Sequence, residues 1–365
     1  MPINNIHEFF VQLHLTERCN LNCTHCYQTG DKTKELSRQE IRDSADEISD
    51  MLKEWAEAYQ LQFSPSLNIT GGEPLLRRDL FEILADLQSY EFAVYLLTNG
   101  TLITEKNAAA LSALGVQGVQ VSIEGPEKIH DRIRGKGSFS ASCRGILHLL
   151  AAGLDVTMNA TLSQMNAGMF RDLMALASSL GVQQLGFSRL VPSGRGADMA
   201  DSMLAPEKVK DIYETIFSLP ADGFKIVTGD PVASQMRVDP GMDDGGMIAV
   251  GGCAAGVSGL TILPDGTIVP CRRMPVPLGN IREDSLREIW VNSEILAQLR
   301  DRDSYQGKCG SCRRWAHCRG CRAIAYAAAG IGGAADFLAD DPQCFISDQD
   351  ESGGRQDGAK IEVRG

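Results

Sequence analysis

The 365-residue chain has few aromatic residues (6%), no excess of positive charge and no long apolar run, and each deficit closes off a class of protein. Lysine and arginine number 35 against 47 acids, a formal net charge of -12, which argues against nucleic acid or an anionic membrane as main partner. That leaves a small molecule or a peptide. No stretch is long and apolar enough to span a bilayer, and Met1 to Phe10 has no basic run followed by an apolar one. Neither a membrane span nor a signal peptide is visible, so a cytoplasmic location is expected. The cytosol keeps thiols reduced, so the 11 cysteines read as metal ligands rather than disulfides. With 43% hydrophobic residues the length suits one large domain and a smaller one.

What the chain does have is cysteine, clustered towards both ends. Cys19, Cys23 and Cys26 make a C-x3-C-x2-C run followed by Tyr27. Three thiolates can hold an iron-sulfur cluster and leave one iron open to bind and activate a small molecule, whereas fully ligated clusters mostly move electrons. The spacing therefore points to an enzyme, with a zinc knuckle as the alternative. His25 lies between two of the cysteines in an already constrained loop and is not read as a ligand. Seven more cysteines follow: Cys253, Cys271, Cys309, Cys312, Cys318, Cys321 and Cys344. The first two flank a hairpin signalled by Asp265-Gly266. A four-cysteine zinc ribbon over Cys309 to Cys321 is the alternative here, but its pairs usually stand about 12 to 20 residues apart.

Between these groups short apolar runs alternate with helical periodicity. Strands are predicted at Val11 to Leu15, Leu67 to Thr70, Phe92 to Leu97, Val119 to Ile123, Val156 to Thr161 and Gln184 to Leu190. Ser37 and Glu40 form a capping box for the first helix, and further helices are expected near 79–89, 105–114, 138–152, 167–180 and 205–218. This alternation builds a parallel sheet, whose sites lie at the C-terminal strand ends. The triplet follows the first strand and Gly71-Gly72-Glu73-Pro74 the second. Thr98-Asn99-Gly100 follows the third, and Ser122-Ile123-Glu124-Gly125 the fourth, with Arg134 further on.

The triplet spacing together with Gly71-Gly72-Glu73-Pro74 resembles the radical S-adenosylmethionine (SAM) superfamily. The resemblance implies an α/β fold, a partial (β/α)6 TIM-type barrel over residues 1–200, and a bridging region over 201–252. It further implies that Cys19, Cys23 and Cys26 hold a 4Fe-4S cluster that donates an electron to SAM, giving a 5'-deoxyadenosyl radical that abstracts a substrate hydrogen. In this reading Gly71, Gly72, Glu73 and Pro74 form the segment that takes the cofactor's amino group, Ser122 and Arg134 its carboxylate, and Asn159 its ribose. The backbone at Leu190 and Val191 takes the adenine, and Tyr27 packs on the adenine or the cluster edge. Many relatives have Asp where this chain has Glu124.

The second cysteine group, C-x12-G-x4-C then C-x2-C-x5-C-x2-C and a last cysteine, resembles the SPASM extension of radical enzymes, placed at 253–346 and followed by a disordered tail at 347–365. The resemblance implies two auxiliary 4Fe-4S clusters, three clusters in all. Cys253, Cys271 and Cys321 would hold the first, with only three ligands, and Cys309, Cys312, Cys318 and Cys344 the second. Cys143 is left over as an inert buried thiol. Arg313, Arg314, Trp315 and Arg319 crowd the second auxiliary loop, as loop packing or as a meeting point for a flavodoxin- or ferredoxin-type donor. Asp230 reads as a turn residue rather than an acid or base.

Further segments resemble the branch with mycofactocin peptide maturases and haem-synthesis radical enzymes. Peptide modification, helped by a separate leader-binding protein, is the first expectation, and tetrapyrrole side-chain modification the alternative, weakly disfavoured by the net acidity. An electron-transfer protein and a zinc-binding interaction protein stand behind these.

Overall fold

The computed structural model describes residues 6–28, 30, 34–219, 224–236, 246–346 and 362–363. The chain opens with β1 (Ile6–His14), α1 (Arg38–Tyr59), β2 (Gln62–Thr70), α2 (Leu80–Leu87), β3 (Ala93–Thr98), α3 (Glu105–Ala113) and β4 (Gly118–Ser122). Two helices follow, α4 (Glu127–Arg134) and α5 (Ser138–Ala151), before β5 (Val156–Leu162), α6 (Phe170–Leu180), β6 (Gln184–Arg189), α7 (Pro206–Ser218) and β7 (Lys225–Thr228). β1 to β7 pair in chain order, all parallel, because each helix carries the chain back across the sheet to start the next strand alongside. All six predicted strands are present, and both Ser37–Glu40 bonds of the capping box form. Ile41, Ala45, Ile48 and Leu52 of α1 are buried against the sheet.

α4 was not anticipated. Eight residues are too few for a clear helical period, and its charged residues mask the buried pair His130 and Ile133.

The sheet also runs further than six units. β8 (Gly259–Ile262) pairs parallel with β1, and β9 (Thr267–Val269) and β10 (Gly279–Asn280) extend that edge antiparallel, so the cysteine-flanked hairpin is part of the main sheet. Gly266 sits at φ +87° in the hairpin turn, the left-handed region that the Asp-Gly signal predicts. α8 (Leu286–Asn292) then brings Trp290 against Phe9 of β1, ring centroids 4.9 Å apart, and against Trp55 of α1 at 6.1 Å. α9 (Glu294–Arg300), α10 (Gly307–Ser311) and α11 (Arg322–Gly332) complete the cysteine-rich part. β11 (Glu362–Val363) pairs parallel with β7, so this piece of the predicted tail is ordered as a strand. The rest of that tail, 347–361 and 364–365, lies outside the described residues. Among the described residues no helix is long and apolar enough to cross a membrane.

Candidate functional site

The loop after β1 is held from four sides at the C-terminal strand ends. From the β2 side, Gly72 N–H donates to Thr16 O (2.7 Å) and Glu73 N–H to Arg18 O (2.8 Å). A Cβ on Gly72 would come within 2.2 Å of Arg18 O, so a residue with a side chain at 72 would push the cysteine loop off its seat. From the β3 side, Asn99 donates to Asn20 Oδ1 (2.9 Å), and its Nδ2 stands 3.9 Å from Cys19 Sγ. From the α4 side, Thr24 N–H donates to Ile133 O at 2.9 Å. Past β6, Gly196 N–H donates to Cys26 O (3.0 Å) and Arg195 Nε to Cys23 O (3.1 Å).

A cleft open to solvent results, with a volume of about 140 Å³. Its lining includes Cys19, Cys23, Cys26, Tyr27, Gly71, Gly72, Ser122, Arg134 and Asn159, all residues that the sequence brought forward. Ser122 and Asn159 are direct cross-strand partners on β4 and β5. Glu73, Pro74 and Leu190 do not line it. Pro74 opens a short 3-10 turn, and Leu190 is buried with its N–H on Leu162 O, while the adjacent Val191 reaches the cleft. The Glu73 carboxylate accepts from Thr98 Oγ1, Asn99 N and Leu75 N. Its burial nevertheless pushes its pKa up to about 7, against the pull of these donors.

Glu124 was noted from sequence only as a departure, yet it ties this wall together. Fully buried, it accepts from Arg134 Nε and Nη2 at 2.8 and 2.6 Å and from Thr161 N at 2.8 Å, with His25 Nε2 at 3.0 Å. Burial alone would raise its pKa, but the charges of Arg134 and His25 win and hold it well below the usual carboxylate range. His25 is thus turned to Glu124. Two of Arg134's nitrogens are spent on the same carboxylate, and its Nη1 lies 3.9 Å from Cys23 Sγ.

In the second cysteine group arginines bind the loops. Arg319 donates to Cys253 O, Arg302 to Gly310 O and Cys312 O (both 3.1 Å), and Arg322 to Ala339 O (2.7 Å) with Nη2 at 3.5 Å from Cys309 Sγ. Gly320 N–H points at Cys318 Sγ, 3.3 Å away. Trp315 is fully buried beside Tyr305 and under Arg319, so packing accounts for both Trp315 and Arg319. Cys143 is half-buried rather than buried, its thiol pushed up to about 11 by burial. Asp230 is more than a turn residue. It is buried and shares Arg189 with Asp341, at 2.6 Å to Asp230 and 2.8 Å to Asp341, while Tyr213 donates to it.

Among the described residues the cysteines form no disulfide, and no three His, Cys, Asp or Glu side chains converge tightly enough to share one metal ion. Thiols spread around a loop, with N–H groups aimed at sulfur, fit a larger sulfur-bearing cluster.

The sequence pattern of the radical SAM superfamily matches residues 13–177, and that of an iron-sulfur cluster-binding domain, SPASM, matches 253–321. An AdoMet-dependent heme synthase of Methanosarcina barkeri is 34% identical, the match covering 91% of this chain and 94% of that one. The chain belongs to the radical SAM superfamily. Other relatives of this radical SAM enzyme include the mycofactocin maturase MftC of Mycolicibacterium smegmatis, 33% identical over 84% of this chain and 76% of its own. Among solved structures, Streptococcus suis SuiB bound to its precursor peptide SuiA superposes with a TM-score of 0.71 at 15% identity, covering 93% of this chain and 76% of that one. That likeness carries the fold. The two matched domains are those of SAM and iron-sulfur chemistry, and the enzyme is read accordingly.

Sequence reasoning missed Glu124 as a structural centre, the Arg195 strap, and Arg272 and Arg273, which also line the cleft. The last two sit directly after Cys271, and adjacency to a candidate ligand should have flagged them.

Proposed function

We propose that this radical SAM enzyme abstracts a hydrogen atom from a tetrapyrrole side chain. Three clusters serve it, one on Cys19, Cys23 and Cys26, one on Cys253, Cys271 and Cys321, and one on Cys309, Cys312, Cys318 and Cys344. When bound, the first cluster and SAM supply the electron and the 5'-deoxyadenosyl radical. The protein's part is placement. Gly72 lets the β2 turn seat the cysteine loop, and the Ser122–Asn159 pair, with Arg134 fixed by Glu124, gives the cofactor a polar wall beside the thiols. Tyr27 offers a flat apolar surface next to Cys26.

The observation that carries this reading is the single cleft lined at once by all three thiols and by the cofactor-face residues of four strand ends. Tetrapyrrole is favoured over peptide because the same cleft bears Arg195, Arg272 and Arg273, none of them in an ion pair among the described residues, a local positive field that offsets the net acidity of the chain. The heme synthase relative, matched over nearly its whole length, supports the same choice. A peptide is the second reading, supported by the maturase relative; it would call for a leader-binding partner. A flavodoxin- or ferredoxin-type protein would deliver the electron. The test is anaerobic reconstitution with iron and sulfide, followed by dithionite and SAM: 5'-deoxyadenosine should form, and its absence from a cluster-loaded protein would sink the proposal.

A further inference from the structure

Arg272 and Arg273 come from the far end of the chain, yet they line the same cleft as Cys19, Cys23 and Cys26. The pairing of β8 with β1 makes this possible, since the β8–β9 hairpin returns Cys271 and the two arginines to the rim of the main sheet. The Arg272 guanidinium lies 5.6 Å from the centroid of the Tyr27 ring. Its Nε and Nη1, and the Nε of Arg273, are buried and have no hydrogen-bond partner. Beside Tyr27, at a ring separation of 6.3 Å, stands His14 at the end of β1, 1% exposed and with neither ring nitrogen bonded.

Buried donors left without a partner on a cation are costly, and the neighbouring arginines show how the fold normally avoids it. Arg189 spends its nitrogens on Asp230 and Asp341, and Arg134 spends Nε and Nη2 on Glu124. Arg272 has no carboxylate within ion-pair reach among the described residues.

We propose that Arg272, flanked by Arg273 and floored by Tyr27 and His14, is the subsite for a carboxylate of the substrate. A guanidinium edge matches a carboxylate with two parallel N–H donors, and the orphaned Nε together with the Nη2 beside it, which bonds no other group among the described residues, is the missing half of such a pair. His14 adds to the fit. Burial and then the charge of Arg272 lower its pKa to about 3, so it stands neutral and offers one N–H without competing for the anion. A carboxylate held here fixes its carbon skeleton in the cleft that the thiols share. The inference rests on the radical reading above and names which end of the substrate enters first.

The test uses the cluster-loaded enzyme with SAM present and haemin against haemin dimethyl ester as probes, titrated through the Soret band. The free acid should bind at least about tenfold more tightly than the ester, the size of one charge-assisted pair. Arg272→Gln should reduce that preference to less than about threefold, and Arg272→Lys, which keeps charge but loses the fork, should fall between. Iron and sulfide content of each variant confirms that it is folded and loaded. Equal binding of acid and ester by the native enzyme overturns the subsite, even where 5'-deoxyadenosine still forms and the radical reading stands. A parallel loss of SAM affinity in Arg272→Gln, measured by equilibrium dialysis, overturns it too, because the corner would then hold the cofactor's carboxylate. If neither porphyrin binds, the tetrapyrrole choice fails and an acetylated tripeptide is compared with its amide by calorimetry. Preference for the peptide acid keeps the subsite, and no preference removes it.

Discussion

The two cysteine groups are built on opposite plans. The first hangs on one loop, with Cys19 exposed, Cys26 half-buried and only Cys23 buried, and is held by backbone contacts from neighbouring strand ends and a single arginine, Arg195. The second buries Cys253, Cys309, Cys318 and Cys321 and fastens their loops with arginines that reach backbone carbonyls. A site that must exchange its cofactor every turnover needs an open side, and one that holds its occupant needs none. Burial also raises the thiol pKa values of Cys318 beyond the ordinary range and of Cys321 to about 12, so those thiolates are stable only with a positive centre to bind them.

The strongest way to break this comparison is to empty the open site alone. Replacing Cys19, Cys23 and Cys26 together by Ala should lower 5'-deoxyadenosine formation by at least about 1000-fold, since the cofactor carries the chemistry. The visible absorption of the second group should persist. Loss of both signals would show that the two regions are not independent.

Next in size is the buried knot that joins them. Arg189 at the end of β6 holds Asp230 and Asp341, and Asp341 also accepts from Cys321 N–H at 2.8 Å. Arg189→Leu strands two buried carboxylates and should cost about 3–5 kcal/mol of stability, read as a lower midpoint in thermal or urea unfolding. Faster aerobic bleaching of the auxiliary absorption should accompany it. A variant equally stable but with faster bleaching would place the effect in the cysteine loop alone.

How much of this was legible in the sequence differs between the same two regions. The open site is written locally. Its cysteines are spaced within eight residues, Gly71-Gly72 and Ser122 close strands that apolar runs announce, and Asn159 lies within a third. What stayed hidden there depends on three-dimensional pairing: that Glu124 meets His25 and Arg134, or that residues 194–196 strap the triplet from behind. The second group showed its cysteines but not its scaffold. Nothing in the hairpin 260–270 says that β8 will pair with β1, because a short apolar strand fits any parallel neighbour. A sum over 365 residues likewise does not show the five arginines that line one cleft.

His14 gives a pH-dependent test of the open region. Its pKa falls from 6.5 to about 3 on folding, so below pH 6.5 the unfolded chain binds a proton that the folded chain refuses. Stability from this group is complete above pH 6.5 and is lost progressively as the pH falls towards 3. Between pH 6.5 and 5 the loss should be about 2 kcal/mol, the free energy of that one proton. Urea unfolding of His14→Gln across this range should show a shallower slope by that amount. An unchanged slope would mean that His14 is already neutral in the unfolded chain or charged in the fold.

Glu124 sharpens the comparison further, because it is a buried carboxylate that does for the open site what arginines do for the closed one. Glu124→Gln keeps the shape but gives up the charge that orients Arg134 and His25. SAM affinity should weaken about tenfold, the size of one charge-assisted bond, while Glu124→Asp, if it reaches both partners, should lose less. Tighter SAM binding by Glu124→Gln would reverse the reading, making Glu124 a competitor for Arg134 rather than its guide.

The smallest effect lies where the two regions touch on the outside. Glu40 of the α1 capping box also accepts from Arg282 Nε at 2.5 Å, and together the Arg282 and Ser37 bonds lower its pKa to about 2. Its contribution is present above the unfolded value of 4.5 and is lost as the pH falls through 2. The pair is close to solvent, so Arg282→Gln should cost only about 0.5 kcal/mol at pH 7, less at 1 M salt. A cost several times larger, insensitive to salt, would mean that α1 and the segment around Arg282 form one rigid unit, and the contrast between an open region and a fastened one would then end at the cleft itself.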